Sequence, residues 1–469
     1  MKNSLLALVL AAGEGTRFRS ETNKVLHPLL GKSMIRLVLD AVLSLAPEKT
    51  YVLVGYERQA VMEETASLGV EFVHQKERKG TARAVLAAKA VLQDKEGDDV
   101  IVMPADLPLL RTETLRALVA SHRKQGNKAT VLSADVENPA GFGRIVRGRD
   151  GGLRIIEEKD APPSVRKLKE VNTAVYVFAV RDLLRALPRI SNNNKSGEYY
   201  LTDVISLFSR AGKKVNVFKT AHPEDIIQIN TRSDLSRAAG AFRERKIQEL
   251  SADGATVLSP ASTWIDLDVR IGQDTIIYPS VIIEGQTTIG SRCRIYPGAH
   301  LINCRIGNDV AVLSSTVMEE TTVEDHVQVG PFARLRPKTI LRAGARVGNF
   351  VEMKNTDFGQ GSKAGHLSYL GDSEIQERVN IGAGTITCNY DGLKKNRTVI
   401  EAGAFIGSGV ELVAPVRIGK GAYVAAGSVI TKDVSPEALA VARGRQVERA
   451  GWARRIRKNG RREKGKHKP

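Results

Sequence analysis

Aliphatic residues recur at intervals of six over much of the second half of this chain. Ile265, Ile271, Ile277, Ile283, Ile289, Ile295 and Leu301 keep the spacing without a slip. Ile306 and Val312 come one residue early. After a second slip the run resumes as Val317, Val323, Val329, Leu335, Leu341 and Val347, and it returns as Ile400, Ile406, Leu412, Ile418, Val424 and Ile430. Neither a 3.6-residue helix nor a period-two strand produces this spacing. A parallel β-helix does, because each six-residue side of a coil turns one aliphatic side chain inward, and three sides close a turn. Glycines follow many inward positions (Gly272, Gly290, Gly307, Gly348, Gly382, Gly407 and Gly419), where corners with unusual backbone angles are expected. Chance alternation in a β-sandwich is the competing reading, and it does not predict repeated phase-locked runs.

At 469 residues the chain has room for two or three domains. Cys293, Cys304 and Cys388 form no even framework, which points to a reducing compartment. The apolar run after Lys2 is short and ends in a glycine-rich loop, so it reads as a buried strand rather than a signal peptide. No apolar run reaches membrane-spanning length. The formal charge is +18. Nine Lys/Arg and one Glu fall between Trp452 and Pro469. This tail is expected to be a disordered, solvated extension, and nucleic acid is not expected as a partner. The remaining positive excess suits phosphorylated substrates.

From the N-terminus, Leu5–Leu10 ends at Ala11-Ala12-Gly13-Glu14-Gly15-Thr16-Arg17, a strand followed by a glycine turn and a basic residue. Glycines there let backbone N–H groups approach a phosphate or base edge, and Arg17 and Lys24 add charge. Tyr51–Val54 reads as a strand and Thr81–Leu92 as a helix. Val100–Met103 reads as a buried strand leading to Asp106. An acidic residue past the carboxyl end of a central strand lies where open α/β sheets place their chemistry; capping the helix near Thr112 is its structural alternative. Gly143, Glu157 and Asn172 lie at strand ends or loops. Glu198–Asp203 is expected to open a helix, and Asn230 follows a short apolar stretch. A charged helix from Ser233 to Leu250 connects the domains. The hexad is interrupted from Lys354 to Tyr369 and again at Cys388–Arg397, where Thr387 to Ile400 spans thirteen residues. Broken repeats are where chemistry is expected, and His366 in the first interruption is a candidate base.

The motifs LAAG-x-G-T-R, VGNFVEMK (347–354), GHLSYLGD (365–372) and IGAGTITCNYDG (381–392) together resemble one family. It is that of the bifunctional bacterial N-acetylglucosamine-1-phosphate uridyltransferases/glucosamine-1-phosphate acetyltransferases, and the resemblance runs from Leu5 to about Trp452. It implies an α/β plus all-β chain. A Rossmann-like nucleotidyltransferase domain would cover residues 1–232 and a helical linker 233–253. A left-handed parallel β-helix of hexapeptide repeats would cover 254–451, and the basic tail 452–469. In the first domain, the resemblance implies that Leu10, Ala11, Ala12, Gly13, Gln75, Gly80 and Thr81 bind UTP, with Arg17 and Lys24 on its phosphates. Asp106 and Asn230 would hold Mg²⁺, and Gly143, Glu157, Asn172 and Asn230 the N-acetylglucosamine-1-phosphate. In the β-helix, His366 would be the general base, and Arg336, Lys354, Tyr369, Asn380 and Lys395 would hold glucosamine-1-phosphate. Ala383, Asn389, Tyr390, Ser408, Ala426 and Arg443 would line the acetyl-CoA site. A cytoplasmic homotrimer, joined through the β-helix, is implied.

Some positions depart from the family pattern. Asn23 and Ser33 stand where proline is usual, Lys79 and Arg83 replace Leu and His, and Pro104-Ala105 precede Asp106. They cluster around the nucleotide pocket. Two other readings remain at this level. One is a single-activity sugar nucleotidyltransferase with a β-helix for assembly; the other is a non-catalytic scaffold.

Overall fold

The computed structural model describes residues 4–77, 79–148 and 151–466, with side chains described as far as 459. The first and last residues of the expected domains, 1–3 and 467–469, lie outside the described residues. The chain forms two compact units: residues 4–249 with 265–268, and residues 250–264 with 269–466.

In the first unit, the buried strand Leu5–Leu10 sits at the middle of a mixed sheet. It runs parallel to Lys49–Val54 on one side and Asp99–Pro104 on the other. Beyond Lys49–Val54 lies Glu71–His74. Beyond Asp99–Pro104 come Glu170–Ala179, Ala129–Asp135 and Val215–Lys219, and Glu170–Ala179 is antiparallel to both of its neighbours. Alternate side chains feed two cores, one on each face. Leu6, Leu8, Leu53, Val100 and Val102 pack into one, and Ala7, Val9, Val52, Ile101 and Met103 into the other. A sheet covered on both faces accounts for strands that read as continuous apolar runs. The expected helix over Thr81–Leu92 is two, Thr81–Ala87 and Lys89–Leu92. Residues 198–202, expected to open a helix, are instead a lead-in to the helix Asp203–Arg210. Their backbone groups pair with Lys79–Ala82: Tyr199 N donates to Lys79 O and Ala82 N to Tyr199 O, both at 2.9 Å. A connecting helix runs from Arg232 to Ala252.

The second unit is a parallel β-helix. Along one side, short strands from Thr256–Val257 to Leu439–Ala440 form an eleven-stranded ladder. The inward aliphatic column is buried throughout, with one shift. Met318, not Val317, points inward, pairs with Leu301 and is fully buried. The second slip therefore falls after Met318. The first expected interruption is absent from the backbone. Glu352–Phe358, Lys363–His366 and Tyr369–Ile375 continue the ladders, and the slip is a side one residue short. The second interruption is larger than thirteen residues against twelve implied. The pair Ile375↔Ile400 spans 25 residues where Ile283↔Leu301 spans 18, so seven residues leave the coil.

The left-handed backbone angles at corners are adopted chiefly by other residues, such as Asn303 (φ 51°), Lys338 (φ 65°) and Asp372 (φ 50°). The glycines after inward positions answer a different need, the close approach of successive coils. A Cβ on Gly348 would run into the Gly365 carbonyl.

The tail also differs from expectation. Trp452–Lys466 is helical rather than disordered, since Ala, Arg, Lys and Glu favour helix. Trp452 and Ile456 are half exposed, so little packing holds it. No helix among the described residues is long and apolar enough to cross a membrane. All three cysteines are free, and burial pushes the Cys304 thiol up to about 11.

Gly348→Ala is expected to destabilise the β-helix by about 1–3 kcal/mol, the range for overpacking. Gly365→Ala should be tolerated, because nothing lies within 4 Å of its added methyl. Urea unfolding followed by circular dichroism distinguishes the two.

Candidate active sites

The first cluster forms past the carboxyl ends of the central strands. Leu10 closes its strand, and its carbonyl accepts from Ala105 N at 3.0 Å; Ala11 N donates to Leu53 O. These bonds hold Ala11 and Ala12 buried and turn Gly13 out to solvent. Gly15 adopts φ 61°, and its α-carbon faces the Lys24 side chain, where a Cβ would come within 2.9 Å. Asn23 caps the turn Lys24–Leu26, accepting from Val25 N at 3.2 Å and donating to Tyr56 O at 2.9 Å. A proline could make neither bond, so Asn23 has a capping role of its own here. Ser33 likewise caps the helix Met34–Leu43.

Lys24 Nζ lies 2.6 Å from Asp106 Oδ2 and 3.3 Å from Asn230 Oδ1. Arg17 donates to the same Asn230 oxygen at 3.0 Å. Asp106 is also tied through its backbone, its carbonyl accepting from Ile229 N at 2.9 Å. A carboxylate and an amide oxygen thus converge on one positive charge. That donor set suits a hard cation completed by water and phosphate oxygens. The described residues contain no cluster of three or more His, Cys, Asp or Glu able to hold a metal alone.

Gln75 is buried, its backbone N–H bonded to Val54 O. Gly80 has φ 106° and packs against Tyr199, and the Thr81 hydroxyl accepts from Leu201 N at 3.0 Å. Arg83 stacks its guanidinium 4.3 Å from the Tyr199 ring centre. The sheet pairs Gly143 with Asn172, and Glu157 lies against Gly143. Asn172 donates to the Tyr176 hydroxyl at 2.8 Å, and Thr202 donates to Glu157 at 3.1 Å. Burial pushes the Glu157 carboxyl above its ordinary range, against the opposing pull of the Thr202 hydroxyl. Gly143, Glu157 and Asn172 are therefore neighbours. A cavity of about 380 Å³ beside them includes Glu157, Tyr200 and Thr202 in its wall.

In the β-helix, His366 is exposed at the end of its strand and pairs in register with Asn349. Its Nδ1 lies 2.5 Å from Asn349 Oδ1. An amide oxygen can only accept, so Nδ1 donates this bond, which leaves Nε2 as the acceptor nitrogen of the neutral tautomer. On the adjoining side, Arg336 bridges to Glu352 at 3.0 Å. Lys354 is held below the usual lysine range by Lys395 first and by Arg336 to a smaller degree, with Asp372 opposing them. Three cations with a surplus of positive charge suit a phosphate. Tyr369 places its hydroxyl over Gly371, where a Cβ would also meet Asn389 Nδ2 at 2.7 Å.

The corner residues Asn355, Asp372 and Asn389 form a chain across successive coils. Asp372 accepts from Asn355 at 2.7 Å and from Asn389 at 2.5 Å. The seven-residue insertion is folded by Asp391, which accepts from Leu393 N and Lys394 N at 2.9 and 2.8 Å. Those backbone donors, Lys394 first, pull its carboxyl down to about 2. Tyr390 and Lys395 face each other across this loop. Asn380 pairs with Lys363 and Phe405, so it lies about 10 Å along the strand from His366.

The four remaining positions share one edge. Ala383 O accepts from Gly409 N and Ser408 O from Gly427 N, at 2.7 and 2.8 Å. Ala426 O accepts from the Arg443 guanidinium at 2.7 Å. Ala383, Ser408, Ala426 and Arg443 thus climb successive coils as a ladder. Sequence reasoning did not single out Asn349, Glu352, Asp372 or Gln228. The first three stood inside the motifs that carried the family resemblance; Gln228 carried no signal.

Residues 7–208 match the MobA-like NTP transferase domain family, and residues 268–303 and 397–432 match the bacterial transferase hexapeptide family of six repeats. The chain is 48% identical to the bifunctional protein GlmU of Thermotoga petrophila over 96% of its length and 99% of that protein. It is 46% identical to that of Geobacillus sp. strain WCH70, over 96% and 98%. The figures for the Exiguobacterium sp. strain AT1b protein are 47%, 96% and 99%.

Adding inorganic phosphate should raise the depressed Lys354 titration toward the ordinary lysine range, since an anion offsets Lys395 and Arg336. NMR of labelled lysine side chains, assigned with Lys354→Met, checks this.

Proposed function

The chain belongs to the bifunctional GlmU family, and from that premise we propose that its two clusters carry two successive reactions of UDP-N-acetylglucosamine synthesis. The second unit, a left-handed β-helix, acetylates glucosamine-1-phosphate with acetyl-CoA. The first transfers UMP from UTP to N-acetylglucosamine-1-phosphate and releases pyrophosphate. The observation that carries the reading is convergence of distant residues. Lys24, Asp106 and Asn230 meet in one unit; in the other, Asn349 holds His366, and Lys395 and Arg336 crowd Lys354.

In acetyl transfer, Asn349 holds the His366 ring so that Nε2 takes a proton from the sugar's amino group. The amine nitrogen then bonds to the thioester carbonyl carbon, the C–S bond breaks, and the proton that the new amide nitrogen loses passes to the departing thiolate. Arg336, Lys354 and Lys395 hold the sugar phosphate, and Tyr369 supports the ring. Coenzyme A lies along Ala383, Ser408, Ala426 and Arg443, with Asn389 and Tyr390 closing over the acceptor. The hexapeptide β-helix joins the subunits as a homotrimer, and Asn380 contributes to the sugar site.

In uridylyl transfer, a phosphate oxygen of N-acetylglucosamine-1-phosphate attacks the α-phosphorus of UTP, and the bond to pyrophosphate breaks. Arg17 and Lys24 neutralise phosphate charge as it shifts toward the leaving group. Leu10–Gly13, Gln75, Gly80 and Thr81 receive the nucleotide; Gly143, Glu157, Asn172 and Asn230 receive the sugar. Asp106 and Asn230 hold Mg²⁺, which when bound screens the phosphate charges. The free thiols fit a cytoplasmic setting.

Asp106→Ala should remove most pyrophosphate release and leave acetyl transfer intact, because it deletes the one carboxylate placed for the ion. Pyrophosphate release at saturating Mg²⁺ that survives the change contradicts the metal assignment.

His366→Ala should lower acetyl transfer by about 10²–10⁴-fold, the usual range for loss of a general base. Uridylyl transfer to supplied N-acetylglucosamine-1-phosphate should be unchanged. Following free coenzyme A and pyrophosphate separately tests both variants.

A further inference from the structure

Asp106 has two carboxylate oxygens, and only Oδ2 faces Lys24. Oδ1 accepts from the Gln228 side-chain amide at 3.3 Å. The backbone explains why Gln228 is there. Ile229 N donates to Asp106 O, and the Ile229 side chain is fully buried. Gln228 and Asn230 flank that anchor by one residue on either side. Gln228 bonds Asp106 Oδ1, and the Asn230 side-chain oxygen shares Lys24 with Asp106 Oδ2. Asn230 is itself fixed from behind, its N–H donating to Asp234 Oδ2 at 3.1 Å. Both amides also line a cavity of about 770 Å³ together with Arg17.

We propose that Gln228 is a positioning residue of the divalent-cation site. By holding Asp106 Oδ1, its amide sets the carboxylate plane and leaves Oδ2 as the oxygen presented beside Asn230 Oδ1. The Gln228 carbonyl oxygen, which accepts no hydrogen bond among the described residues, adds a third oxygen to the cluster for a water of the ion's shell. The amide is neutral, so it orients Asp106 without the competing positive charge that Lys24 brings to Oδ2. This inference rests on the assignment of Asp106 and Asn230 to the ion.

The test uses the full-length protein and Mn²⁺ as probe, with free ion read by electron paramagnetic resonance. Gln228→Met keeps the length of the side chain and removes the amide; Gln228→Leu removes it with a different shape, should the first fold poorly. Either folded variant should bind Mn²⁺ about 10-fold more weakly, as expected for loss of a group that orients a metal ligand. The Mg²⁺ concentration giving half-maximal pyrophosphate release should rise in parallel, while kcat at saturating Mg²⁺ and acetyl transfer stay within a few-fold. An unchanged Mn²⁺ affinity in a folded variant overturns the role of Gln228. Asp106→Ala, run alongside, separates the two levels. If it binds Mn²⁺ as tightly as the unaltered chain, the underlying metal assignment fails. If it loses binding and Gln228→Met does not, only the present inference falls.

Discussion

Each coil of the β-helix must return to register, so that an inward aliphatic residue lands on the one before it and each strand finds its hydrogen-bonding partners. Departures from six therefore have to be absorbed at corners. The short sides after Leu301, Met318, Met353 and Leu370 all end at corners of one column. Within it, Asn303 N donates to Glu284 O, Glu320 N to Ile302 O, Lys338 N to Glu320 O and Asn355 N to Pro337 O. The seven-residue insertion that follows Cys388 leaves where that column continues past Asp372. Length variation confined to one edge gathers polar corner residues there. Asn355, Asp372 and Asn389 become a hydrogen-bonded chain, and Lys395 is returned toward Lys354.

Charge is handled alike in the two units. In each, cations are gathered at one spot. Arg17 and Lys24 share the Asn230 amide oxygen; Lys354, Lys395 and Arg336 crowd until Lys354 binds its proton less tightly. Two protein oxygens in the first unit, from Asp106 and Asn230, accept from Lys24, and the second unit has instead a histidine whose ring is held by Asn349.

Much of this was readable beforehand where periodicity or an unusual motif carried it. The β-helix followed from the hexads, and Asp106 from its place after an apolar strand. Readings failed where a residue's role depends on a neighbour distant in sequence. Val317 and Met318 are both apolar, and only pairing with Leu301 decides which turns inward. The glycines after inward residues looked like corner glycines, yet their requirement comes from the next coil's backbone. Residues 198–202 had helical character, but Lys79–Ala82 claims their hydrogen bonds. The departures Asn23 and Ser33 carried no structural role in the sequence, and the structure makes both of them caps.

The sequence by itself determined the two architectures, the order in which they occur and most of the side chains from which sites can be built. Those properties are local: a period, a strand end, a run of motif residues. Tertiary structure alone decided which polar groups share an atom. Lys24 meets Asn230 across 206 positions, Gln228 meets Asp106 across 122, and Asn349 reaches His366 from the previous coil. No local pattern specifies such pairs, because hydrogen bonding is decided at about 3 Å. Only the sheet's strand order and the coil's register bring those atoms that close.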